Sequence, residues 1–66
     1  MSPKRLGVVI KRLRKRRKMT QAVLADKVGV HRIYIAQIEA ATKTPSIATL
    51  EKIAQALKVK PAELLE

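Results

Sequence analysis

Residues 20–40 read TQAVLADKVGVHRIYIAQIEA, and the spacing inside this stretch decides the fold. Thr20 is a helix-capping residue with Gln21 at the first helical position behind it. Val23 stands where a reciprocal capping box needs Glu or Gln, so that box is absent. Leu24, Ala25 and Val28 form the inner face of this short helix. Gly29 follows and supplies the left-handed conformation that ends many helices. Ile35 and Ile38 then mark the inner face of a second helix, predicted over 31–39, with Val30 filling the turn. Small Ala25 lets the two axes approach closely. The apolar residues together make a wedge that holds the helices near perpendicular. Such a corner leaves the outer face of the second helix free to enter a DNA major groove. Spacing alone also fits a plain αα corner in a bundle, and the charge described below is what favours DNA.

The flanks read as helix throughout. Ser2-Pro3 is a capping hydroxyl followed by a proline suited to a first turn. Leu6, Val9, Ile10 and Leu13 share one face of a helix predicted over 3–17. Thr42 to Ser46 is a loop carrying Pro45. Ser46 caps a fourth helix with Ile47, Leu50, Ile53, Ala54 and Leu57 on its apolar face. Val59-Lys60-Pro61 breaks the chain again, and Pro61 opens a last short helix carrying Leu64 and Leu65. The expectation is an all-α five-helix bundle, one domain over 1–66, with no strand and no internal repeat.

Length and charge narrow the function. Sixty-six residues make one small domain. With no cysteine and one histidine, disulfides are excluded and a structural metal site is not expected. Fifteen Lys and Arg against five Asp and Glu give +10, which points to a polyanionic partner. The first eighteen residues carry Lys4, Arg5, Lys11, Arg12 and the run from Arg14 to Lys18 without one acid. The acids Asp26, Glu39, Glu51, Glu63 and Glu66 are scattered, with no nucleophile–base pair and no phosphate-cradling glycine loop. An enzyme is therefore not expected, nor a cofactor. No apolar run approaches a membrane span and no signal-peptide pattern is present, so the expected location is the cytoplasm, on the nucleoid.

The combination of Thr20-Gln21-Ala22-Val23-Leu24-Ala25, Val28-Gly29-Val30, Tyr34-Ile35-Ala36-Gln37-Ile38-Glu39, Thr44-Pro45-Ser46 and Leu50 to Leu57 resembles the lambdoid phage repressor/Cro and Xre family of DNA-binding domains. The resemblance runs from about Leu6 to Leu65. It implies five helices with a helix-turn-helix at about 20–40, and dimers on palindromic operators. Four positions depart from the family pattern. Ala41 stands where Gly is frequent, Lys18 where Gly or Asn is common, Lys58 where Gly is common, and Lys60 replaces a frequent Ser. A left-handed lysine costs roughly 1 kcal/mol, so the Lys18 and Lys58 corners are expected to turn less tightly.

Arg32 and Gln37 lie on the solvent side of the second helix, where Arg offers a fork to guanine and Gln a pair of bonds to adenine. The matching family positions touch bases. Ile33 between them is expected against a thymine methyl. His31, at the N-cap, and Tyr34 are expected near phosphates. The resemblance gives Gln21 a backbone contact at a helix N-terminus, which favours phosphate, and a role in buttressing the first reader. Thr42, Lys43 and Thr44 are expected to clamp phosphate through hydroxyls and main-chain N–H groups, and Arg17 and Lys18 from the end of the first helix. Arg14 and Glu39 match positions that form a structural ion pair between the first and third helices.

Three readings follow. The first is a transcriptional regulator, a dimeric repressor occupying a palindromic operator in double-stranded DNA. The second is an antitoxin of this fold that binds a toxin and represses its own operon. The third, a cationic membrane-surface peptide, is weak, because the apolar stripe is narrow, lacks Trp and Phe, and is needed for the core.

Overall fold

Each helix begins where a side chain accepts from a free N–H group or a proline removes one. In the computed structural model, which describes residues 2–65, helix α1 spans Pro3–Arg16, and Ser2 Oγ accepts from Arg5 N. Helix α2, Gln21–Val28, is capped by Thr20, whose hydroxyl accepts from Val23 N at 3.1 Å. Helix α3 spans Arg32–Glu39 and is capped by His31. Helix α4, Ile47–Leu57, starts on Ser46. Helix α5, Pro61–Leu64, opens with proline, and the Glu63 carboxylate accepts from Lys60 N at 2.7 Å. The described residues contain no strand.

The helix ends carry a finding that runs against expectation. Lys18 (φ 57°), Ala41 (φ 65°) and Lys58 (φ 57°) all adopt the left-handed conformation, as Gly29 does at φ 85°. The two lysine corners therefore turn as sharply as glycine corners. Their backbone bonds explain this: Met19 N reaches back to Arg14 O and Val59 N to Ala54 O, each 3.0 Å. Such closures around a left-handed residue satisfy helix-end carbonyls, and tertiary packing outweighs the local cost.

One core joins all five helices: Leu6, Val9, Ile10, Leu24, Ala25, Val28, Ile35, Ile38, Leu50, Ile53, Ala54, Leu57 and Leu64. Helix α2 packs against α3 on one side and α4 on another, and α1 lies against α3. Two apolar expectations need correction. Ile47 is 71% exposed, because it is the first residue of α4 and the buried stripe begins one turn later at Leu50. Leu65 is 40% exposed, just beyond the end of α5. Leu13 is only partly buried against the core.

Candidate nucleic-acid interface

A charged knot at the junction of three helices fixes the end of α3 against α1 and α2. Arg14 is 7% exposed. Its Nε donates to Glu39 Oε2 at 2.7 Å, its Nη2 to Glu39 Oε1 at 3.0 Å, and its Nη1 to Met19 O at 2.8 Å. The fork therefore ties α1 to the end of α3 and to the turn before α2. Gln21 Nε2 adds a further bond to Glu39 Oε1 at 3.1 Å, which locks the start of α2 into the same knot. A bidentate pair with every polar atom engaged fixes geometry as well as contributing energy. No buried side-chain polar atom among the described residues lacks a partner.

Helix α3 turns Ile35 and Ile38 into the core and leaves Arg32 and Ile33 exposed, with Gln37 half-buried on the outer side. Ile33 is 52% exposed and sits between Arg32 and Gln37 on the outer side of α3. His31 Nδ1 accepts from Ile33 N at 3.1 Å. A neutral imidazole that accepts at Nδ1 carries its proton on Nε2, so the cap leaves an N–H donor outside the helix start. Tyr34 is half-buried and packs against the core.

The loop after α3 changes the expected clamp. Gln37 O accepts from Thr42 N at 2.9 Å, from Lys43 N at 3.3 Å and from Thr42 Oγ1 at 3.2 Å. Thr42 thus has its amide and its hydroxyl proton engaged internally, and the Lys43 amide is engaged as well. What remains for an anion is the Lys43 ammonium and Thr44, both exposed. Arg17 and Lys18 are also exposed, but Arg17 lines a groove with Met19, Lys27, Ala56 and Lys58, none of them from α3.

One positioning residue and one positioning bond escaped the sequence reading. A Cβ on Gly7 would lie 2.5 Å from Glu39 O and 2.8 Å from Ile38 O, so only glycine lets α1 approach the end of α3. Its signal was a glycine placed between Leu6 and Ile10 inside an apolar helical face. The other is the Gln21 bond to Glu39, which no spacing foretells.

Residues 10–64 match the model of the Helix-turn-helix family, HTH_3. The chain is 42% identical over 60 residues to the immunity repressor protein of Bacillus phage phi105, an overlap covering 91% of this chain and 42% of that protein. The chain thus spans less than half of that relative's length. Among solved structures, the restriction-modification controller protein C.AhdI from Aeromonas hydrophila is similar with a TM-score of 0.92 and 29% identity over 94% of both chains. The P22 c2 repressor protein, solved in complex with synthetic operator 9T in the presence of Tl+, is similar with a TM-score of 0.85 and 34% identity over 89% of both chains. With its corner, its capped third helix and the family model all covering the same residues, the chain belongs to the helix-turn-helix family.

Proposed function

We propose that this chain binds double-stranded DNA sequence-specifically and regulates transcription, as a repressor that occupies a palindromic operator. The exposed face of α3 carries the proposal. Arg32, Ile33 and Gln37 offer a guanine fork, a methyl contact and an adenine pair on one helix, held rigidly by the knot below. The likeness to a repressor solved on an operator supports it, as does the charge of +10.

In this reading His31 donates Nε2–H to a phosphate, and the first-turn N–H groups of α2 at Gln21 hold another. Lys43, Thr44 and Tyr34 clamp the backbone, and Arg17 and Lys18 add cationic field from behind. Arg14 and Glu39 touch no DNA and set the angle between helices. The domain measures 25 × 23 × 20 Å, whereas successive major-groove faces lie ~34 Å apart. One copy therefore reads one half-site and a palindrome takes two. The pairing surface is the segment before α4 together with residues 59–65, where Leu65 and, at the adjoining first position of α4, Ile47 present apolar side chains. No helix among the described residues is long and apolar enough to cross a membrane, and we place the protein in the cytoplasm with its DNA, with no catalytic role.

Selection of bound sites from a random duplex pool tests this. The expected result is a two-fold symmetric consensus with half-sites about one helical turn apart. An enriched pool without a shared motif would overturn the reading.

A further inference from the structure

Two adjoining concavities of about 450 and 440 Å³ lie on a face to which α3 contributes nothing. Both include Lys27, Ala56 and Lys58; one extends to Val28, Lys52 and Gln55, the other to Arg16, Arg17 and Met19. The result is a continuous groove with five cations on its walls, no acid, and a floor of Met19, Val28 and Ala56.

Helix ends explain part of this charge. The C-termini of α1, α2 and α4 converge here, close to Arg16, Lys27 and Lys58. Each helix end amounts to about −0.5 of a charge. Three ends then offset roughly −1.5 of a formal +5, and Lys52 sits mid-helix in α4, away from any end. Most of the charge is left facing solvent.

We propose that this groove docks an acidic, amphipathic segment of a partner protein. Carboxylates would meet the cationic walls while alternate apolar side chains cover the floor. A phosphodiester backbone matches the walls but has nothing apolar for the floor. A second copy of this chain is disfavoured, since it brings only five acids and a charge of +10. Because no α3 residue lines the groove, such a segment leaves the α3 face open.

The test is an amide-resolved NMR titration of the full chain with two short peptides of equal charge, one of Glu-Glu-Leu repeats and one of Glu-Glu-Gly repeats, and with a random-sequence duplex. The leucine peptide is expected to bind about tenfold more tightly than the glycine one, shifting the amides of Met19, Val28, Gln55 and Ala56. Lys27→Glu with Lys52→Glu should weaken it about tenfold, while the same charge change at Lys4 and Lys11, on the outer face of α1, should weaken it less than about twofold. If the double variant fails a melting check, Lys52→Gln alone serves, with a smaller loss in the same direction. Equal affinity for the two peptides, equal losses from the two charge reversals, or shifts centred on α3 would each overturn the proposal. A duplex that shifts the groove amides more strongly than the leucine peptide would also overturn it, making the groove a nucleic-acid contact.

Discussion

Glu39 accepts bonds from two residues of other elements, so its removal does not act on one contact. Glu39→Ala leaves a guanidinium that is almost wholly buried with only Met19 O as partner. Breaking a buried pair from one side costs about 3–5 kcal/mol, and a domain this small has little more to lose. The variant is expected to be unfolded or to melt far below the parent. Arg14→Met combined with Glu39→Leu should recover much of the loss, because removing both charges removes the stranded one. A melt of Glu39→Ala within a degree or two of the parent would refute the structural role. The outer side chains act differently. Arg32→Ala should cost about 1–3 kcal/mol on the selected operator and relax preference at one base per half-site. Lys43→Ala should weaken every sequence almost alike and lower the salt slope by about one. Binding to base-substituted duplexes at two salt concentrations separates them, and an equal loss on operator and random DNA for Arg32→Ala would make it a clamp. The residue types of this site were legible in the sequence, since an outward Arg and Gln on a helix follow from periodicity. Which donors stay free was not. Thr42 and Lys43 curl back on Gln37 O, and His31 caps through Nδ1; both depend on backbone geometry that residue identity leaves open.

Helix boundaries were legible to within about a residue, because capping residues and prolines act locally. Thr20, Ser46 and Pro61 stand where chemistry puts them. The exits were harder, because left-handed corners are usually recognised by glycine, and three of the four here lack it. Ala41→Gly and Lys58→Gly should each stabilise the domain by about 0.5–1 kcal/mol, the relief of left-handed strain less the extra entropy of an unfolded glycine. Denaturant midpoints should rise at both sites; a fall at either would show that the side chain contributes more than its backbone costs. The opposite holds inside α1. Gly7→Ala normally favours a helix, yet here its methyl meets the carbonyls of Ile38 and Glu39 at distances that no side chain can yield to. Overpacking of this kind costs about 1–3 kcal/mol, and the displaced α1 would drag Arg14 from Glu39. A Gly7→Ala variant as stable as the parent would mean that the close approach is dispensable. Ile47 failed for a related reason: periodicity states which face of α4 is apolar and not where the partner helices stop.

The same exposed isoleucine bears on how two copies share one operator. A charge of +10 makes two copies repel each other, so in the proposed reading DNA, by neutralising that charge, favours their pairing. The proposed contact between them uses apolar surface at the start of α4, where Ile47 is 71% exposed. Its exposure also means that a charge can replace it without emptying the core. Ile47→Asp should therefore leave the melting temperature within a few degrees of the parent. It should also leave affinity for an isolated half-site unchanged. On the full palindrome it should remove the cooperative step, lowering the second copy's affinity by about 1–2 kcal/mol, the scale of burying one such side chain. Quantitative titration of half-site and palindromic duplexes, with the mass of the saturated complex, distinguishes these terms. One parental copy saturating the palindrome would refute paired binding, and undiminished cooperativity in Ile47→Asp would place the pairing surface elsewhere on the molecule.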